Sequence, residues 1–425
     1  MSTQLQTKWK AILEHADLAP IKDSYRKQVT AILLENQENS LREQRQIHLN
    51  ETAPTNVAGN VDRFDPILIN LLRRTQPNLM AYDICGVQPM KSPVGQVFAM
   101  KSRYGTSRVV NTSSTEALFN EADTAYSGAT GPGPFGPHTA NVIASDNSIG
   151  LSGTGMSLAV GEAVNPQEMG FTLERISVTA VTRALKAEYS EEMAHDLKNM
   201  HDLDADSILS NILSTEILAE QNREVMRTIY RIAKAGAATG TTTAGVFDLD
   251  TDSDGRWSVE RFKGLIFQVA REASKVARET RMGKGNIIIC SADVASAFEM
   301  AGKLDYSPAM STDLNVDDTG NTYAGMLNNK YKVYVDPYFS AHASASYTDI
   351  MVVGYKGKNP FDAGLFFCPY VPLTKSVAID PETFQPKIGF KTRYGIVANP
   401  LGGDGLGLAN NTNAYYRRVL VNNIL

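Results

Sequence analysis

The peptide Leu49-Asn50-Glu51-Thr52 offers the first chemistry, hydrolysis of its own backbone by a protease. A Leu-x-Glu triplet followed by a small residue is common, so its position gives it weight. It ends a lysine- and glutamine-rich leader and precedes Ala53-Pro54-Thr55-Asn56-Val57-Ala58-Gly59, a stretch expected to be extended and accessible. Exposed irregular backbone is where proteases cut. The similar triplets Ile12-Leu13-Glu14 and Leu33-Leu34-Glu35 fall in expected helix, which hides the backbone, and Leu41-Arg42-Glu43 falls near its fraying end.

Other motifs promise less. Gly131-Pro132-Gly133-Pro134-Phe135-Gly136 has the GxGxxG spacing. A dinucleotide site needs a strand before that loop and a helix N-terminus after it. Here prolines remove backbone donors and no helix follows, so a stiff surface loop is expected. Asp250-Thr251-Asp252-Ser253-Asp254-Gly255 matches the first half of a calcium loop, but position twelve is Arg261 and not the bidentate Glu. We therefore expect an Asp-rich turn capping a helix that starts near Ser258. His195 and His201 lie among Glu191, Glu192, Asp196 and Asp202 without metal-ligand spacing, and read as a solvated helix face. No GxSxG elbow and no P-loop occurs. Cys85, Cys290 and Cys368 are far apart, which argues against a disulfide framework or a zinc ribbon. Cys290 and Cys368 sit in apolar runs and read as core. The chain shows no catalytic, cofactor or metal constellation.

The elements that must position these residues follow from composition and periodicity. The 425 residues are 43% hydrophobic and 20% charged, enough for a sizeable core and several domains. The net charge is -5, and residues 1–51 carry equal numbers of basic and acidic side chains. A chain that grips DNA needs a clustered positive field, and no such cluster is visible along the sequence. No apolar run is long enough to span a bilayer.

The leader contains two helical stretches broken at Pro20. Ile21, Tyr25, Val29 and Ile32 form an apolar stripe in the second, expected to dock on the chain's own domain or on a partner. Asp65-Pro66 starts a capped helix with Ile67, Leu68, Leu71 and Leu72 on its apolar face. Strands are expected at 95–100, 171–173 and 176–179, flanking a Gly-, Ser- and Thr-rich excursion over 106–170. The span 204–234 has no Gly or Pro and shows helical spacing, and a second helix is expected over 258–280. Strands then recur at 287–290, 331–335, 350–353 and 365–367.

Long idiosyncratic runs carry a family resemblance. They include Asp65-Pro66-Ile67-Leu68-Ile69, Ala99-Met100-Lys101-Ser102-Arg103-Tyr104-Gly105 and Asn359-Pro360-Phe361-Asp362-Ala363-Gly364-Leu365-Phe366. The most telling is Phe384-Gln385-Pro386-Lys387-Ile388-Gly389-Phe390-Lys391-Thr392-Arg393-Tyr394-Gly395. Over 52–425 the chain resembles the major capsid (head) proteins of T-even-type tailed bacteriophages, in the shorter form of marine and cyanobacterial phages.

That resemblance implies an α+β architecture, the tailed-phage capsid fold of the Hong Kong 97 type. Its parts would be a cleavable, scaffold-docking segment at 1–51 and an N-terminal arm with first helix at 52–90. An extended loop would cover 91–190 with the insertion 106–170. A peripheral domain with the spine helix would span 191–284, an axial domain 285–380, and a C-terminal return 381–425. The implied function is a non-enzymatic head-shell precursor forming hexameric capsomers around double-stranded DNA, in the virion and, during assembly, the host cytoplasm. A prohead protease would cut after Glu51 and leave Thr52 as the mature N-terminus. Implied partners are neighbouring capsomers, the vertex protein, the portal, the internal scaffold and decoration proteins; no cofactor is implied. The alternatives are the pentameric vertex paralogue, an encapsulin-like cage, or a nucleotide-dependent enzyme using the 131–136 loop.

Overall fold

The computed structural model describes residues 2–14, 21, 23–50, 79–105, 114, 116–118, 158–163, 168–201, 205–238, 240–253, 255, 257–301, 304–306, 322–339, 349–359, 361–379, 385–399 and 408–424. Glu51, Thr52, the expected helix at Asp65–Pro66, the 131–136 loop and most of the 106–170 insertion lie outside them.

The described strands are β1 (Gly86–Val87), β2 (Val94–Tyr104), β3 (Met169–Thr179), β4 (Val181–Glu188), β5 (Ala233–Ala235), β6 (Val246–Asp248) and β7 (Ile287–Ser291). They continue with β8 (Leu304–Tyr306), β9 (Thr322–Leu327), β10 (Tyr331–Asp336), β11 (Asp349–Gly354), β12 (Leu365–Ile379), β13 (Pro386–Ala398) and β14 (Asn413–Asn422). The chain forms two units, one of Met1–Gly95 with Ser177–Leu425 and one of Gln96–Ile176.

The larger unit is α+β. One sheet runs β5-β14-β11-β7-β10-β9-β8, with β6 also on β14. β7 is its centre, parallel to β10 and antiparallel to β11. All five β7 residues are buried, which explains why 287–290 is a continuous apolar run instead of an alternating one. The second sheet runs β1-β12-β13-β4.

Sheet membership cuts across the expected boundary at 380. β12 leaves the 285–354 strands and pairs with β1 and β13. β14, expected in the C-terminal return, pairs with β11 inside the larger sheet. Ladder partners distant in sequence decide this. Gly354 and Gly364 permit it: a Cβ there would stand 2.6 Å from the Tyr416 ring and 2.5 Å from the Tyr415 Cβ respectively.

Helix Ser258–Thr280 forms as expected from the sequence. Phe262, Leu265, Val269 and Ala273 recur at helical spacing and are buried against Ile288, Phe298, Val333 and Met351. Arg281 closes it in the left-handed region (φ 56), its N–H returning to Ala277 O at 3.0 Å. Glu272, fully buried on this helix, accepts from Gln268 (2.9 Å), Lys275 (3.0 Å) and the Ala237 N–H (3.1 Å), and pairs with Arg417 at 3.5 Å. That network ties the helix to β14.

Helix Ala205–Ile232 has 28 residues, about 42 Å at the α-helical rise. Its first half packs Leu213 and Ile217 on Leu373, Ile388 and Phe390. Its second half packs Val225, Met226 and Ile229 into the core with Leu365, Phe367 and Tyr416. One helix thus bridges two clusters, which favours its length and its freedom from Gly and Pro.

In the smaller unit β2 and β3 pair as a two-stranded ribbon. The compact division falls at Ile176, whereas the expected loop boundary was 190. β4 explains the difference, because it pairs with β13 along its whole length. Its sequence Val-Thr-Arg-Ala-Leu-Lys-Ala-Glu carries little alternation and was not expected as strand.

Candidate assembly surfaces

The leader is built into the larger unit. In helix Ser24–Asn50, Val29 and Leu33 are buried with Leu79, Ile84, Val87 and Phe367. Asn36 donates to the carbonyls of Met90 (2.8 Å) and Tyr370 (2.9 Å). The Tyr25 hydroxyl donates to Val87 O, and burial pushes its pKa up to about 12. Arg26 pairs with Asp83 at 2.7 Å. The preceding helical turns fold back, with Trp9 Nε1 donating to Glu35 (3.1 Å) and Lys8 bridging Glu35 (2.7 Å) and Glu38 (2.6 Å). Trp9, Leu13, Ile21, Ala31 and Leu34 form a small core of their own.

Of the two expected docking surfaces for the Ile21/Tyr25/Val29/Ile32 stripe, the chain's own domain is the one the structure shows. Ile21 faces Trp9 and Leu13, while Tyr25 and Val29 face the chain's own core, so that face is already occupied. A tethered face loses less entropy on docking than a free partner would. The helix also continues without a break through Leu41-Arg42-Glu43 to Asn50, so that triplet lies inside it. Leu49 and Asn50 are its last residues; Glu51 and Thr52 follow outside the described residues.

Among the described residues of the acidic turn, Asp250 and Asp252 do not cap helix Ser258–Thr280. Trp257 occupies the N-cap without a side-chain hydrogen bond. Asp252 accepts instead from Thr242 N (2.7 Å), Thr242 Oγ1 (2.8 Å) and Asp248 N (3.0 Å). Burial raises its pKa, but these donors outweigh burial and hold it below the usual carboxylate value. Asp250 pairs with Arg261, the residue standing where a calcium loop needs its Glu. The carboxylates serve the loop because its irregular backbone has unpaired N–H groups nearby; Asp254 lies outside the described residues.

His195 and His201 lie on helix Glu191–His201, which buries no side chain. All three cysteines are buried and free. Burial pushes the thiol pKa of Cys85 and Cys368 up to about 12 and raises that of Cys290 as well, so they stay protonated at neutral pH. Among the described residues no group of His, Cys, Asp and Glu could hold a metal ion, and no helix is long and apolar enough to cross a membrane.

The smaller unit presents a different kind of surface. On one ribbon face Glu174 binds Lys101 (2.9 Å) and Arg103 (2.6 Å), and Arg103 also donates to Thr172 (2.8 Å). Strand alternation sends the intervening residues to the other face. There Phe98 (69% exposed), Met100 (67%), Phe171 (71%) and Leu173 (61%) stand in solvent. A monomer rarely exposes such a contiguous apolar stripe. The sequence signal was present, since Val94, Phe98 and Met100 share a parity, but sequence alone does not show that they stand exposed.

The chain matches known proteins along nearly its whole length. The family described as Major capsid protein Gp23 matches residues 61–421. The major capsid protein of Serratia phage KSP90 is 38% identical, covering 100% of this chain and 99% of the relative. That of Enterobacteria phage T4 is 34% identical over 99% of each. The capsid vertex protein of the same phage is 26% identical over 54% of this chain and 53% of its own. Among solved structures, the capsid of Myoviridae phage XM1 aligns with a TM-score of 0.39 and 9% identity, covering 81% of this chain and 92% of that one. With full-length identity to the major proteins and only partial identity to the vertex protein, the chain belongs to the Gp23 major capsid protein family, the subunits of the phage head shell.

Proposed function

We propose that this chain is the precursor of the shell subunit. It folds in the Hong Kong 97 manner and assembles into hexameric capsomers that enclose double-stranded DNA. It loses residues 1–51 by cleavage after Glu51, and carries out no catalysis of its own. The observation that carries the assembly reading is the uncovered apolar stripe of Phe98, Met100, Phe171 and Leu173. Each such side chain gains roughly 1.5–3 kcal/mol when fully buried, and a neighbouring subunit supplies the burial. Vertex protein, portal, internal scaffold, prohead protease and decoration proteins are the further partners of that assembly. The scaffold would meet a leader surface other than the face occupied by the chain itself.

The cleavage reading is supported by placement. Glu51 directly follows Asn50, the last residue of helix Ser24–Asn50, and helical backbone itself is a poor protease substrate. Electron microscopy of the expressed chain tests the assembly: rings, tubes or shells are expected. A compact monomer at high concentration under every condition would reject the reading.

A further inference from the structure

The larger unit holds a cavity of about 580 Å³ at one end of its main sheet. Lys330, Lys332, Lys356 and Lys358 line it together with Asp23 and Asp83, an excess of two positive charges. Topology brings these lysines together. β7 lies between β10 and β11, and Asn286, one residue before β7, clamps both neighbours. It accepts the Lys332 N–H at its backbone carbonyl (3.0 Å) and the Lys356 N–H at Oδ1 (3.0 Å), and its amide donates to Lys356 O (2.7 Å). Lys330 closes the β9–β10 turn, where Asn328 and Asn329 take positive φ. Lys358 follows two residues after Lys356.

The cluster is short of counter-charge. Asp83 already pairs with Arg26. Lys356 is largely enclosed and donates to the Tyr82 carbonyl. Burial lowers its pKa, Cys85 and Asp83 offset part of that, and Arg26 and Lys332 lower it further. Lys330, Lys332 and Lys358 pair with no carboxylate among the described residues, and each is exposed. Four lysines gathered in a concave site with only two carboxylates, Asp23 and Asp83, attract a multiply charged oxyanion, which relieves their mutual repulsion.

We propose that this cavity is a binding site for phosphate groups, held by Lys330, Lys332, Lys356 and Lys358. Inorganic phosphate and the backbone of nucleic acid share this chemistry. The wall carrying Asp23 belongs to the leader. Arg26, the partner of Asp83, belongs to the leader too, so loss of residues 1–51 would open that wall while removing one charge of each sign beside the lysines; that coupling rests on the proposed cleavage, whereas the lysine cluster does not.

The test is acetylation footprinting of the full-length chain, read lysine by lysine by mass spectrometry at constant ionic strength. Inorganic phosphate is titrated through the millimolar range, and in a separate arm a DNA duplex at matched phosphate content. Lys330, Lys332 and Lys358 should lose reactivity by about threefold once the ligand stands at about twice its Kd. The exposed Lys263 and Lys284, which do not line the cavity, should not change. In the double variant Lys332→Gln/Lys358→Gln, protection of Lys330 should disappear while the chain still assembles. Protection by inorganic phosphate alone identifies a small oxyanion as the occupant, and protection by the duplex identifies nucleic-acid backbone. Absent protection, equal protection of Lys263 and Lys284, or protection of Lys330 that survives the double variant would overturn the site. None of these results bears on shell formation, which microscopy reads separately.

Discussion

Asn36 and Met90 lock the leader to the body: the Asn36 side-chain amide donates to the Met90 carbonyl at 2.8 Å. The same amide reaches Tyr370 O at 2.9 Å, so one leader residue satisfies two separate segments. One turn earlier Leu33 is fully buried. The leader is therefore part of the precursor's core and not a passive tether. Leu33→Ala should destabilise the full-length chain by about 2–5 kcal/mol, the cost of truncating a buried Leu. Denaturant unfolding checks it, with the exposed Asn39→Ala as control; equal midpoints for the two variants would contradict the docked arrangement.

The ribbon makes an opposite demand. Phe98 and Phe171 bury little in the subunit, so Phe98→Ser and Phe171→Ser should leave the melting temperature within a degree or so. Each should weaken subunit association by about tenfold, the equivalent of about 1.4 kcal/mol. Light scattering during assembly reports the second effect and calorimetry the first. Loss of stability without loss of assembly would mean that the stripe packs within its own subunit.

Cleavage after Glu51 predicts a defined product. Intact-mass analysis of mature particles should give chains starting at Thr52, and Glu51→Ala should leave full-length chains in the particle. Particles of wild-type full-length chains, or an N-terminus far from Thr52, would reject the site.

The acidic turn predicts a pH signature. The folded pKa of Asp252 is depressed below its ordinary value of 3.8. Its contribution is therefore fully present above the unfolded value and is lost as pH falls through the folded one. Asp252→Asn should lower the melting temperature by a constant amount from pH 8 to about pH 5, with the gap closing below about pH 4. EDTA should leave both proteins unchanged. A calcium-dependent rise in melting temperature would show a cation site in place of the loop brace, since binding to the native state stabilises by mass action.

The helix expected over 204–234 and the one over 258–280, the strand cores expected at 287–290, 331–335 and 350–353, and the family itself were legible in the sequence. Local periodicity and long idiosyncratic runs carry that information without reference to any other segment. Partner choice was not legible, because strand ladders join residues far apart in the chain. Only the fold placed β14 inside the sheet of β7 and β11 and sent β12 to β13. Only the fold turned the leader stripe inward and drew Asp252 to Thr242 instead of the helix start. The charge pattern shows the limit most clearly. Read along the chain, an acidic protein of net charge -5 has no clustered positive field. Asn286 then brings Lys332 and Lys356 to one end of one sheet, and four lysines from two segments line a single cavity. Electrostatic potential depends on distance in space, and only tertiary structure sets that distance.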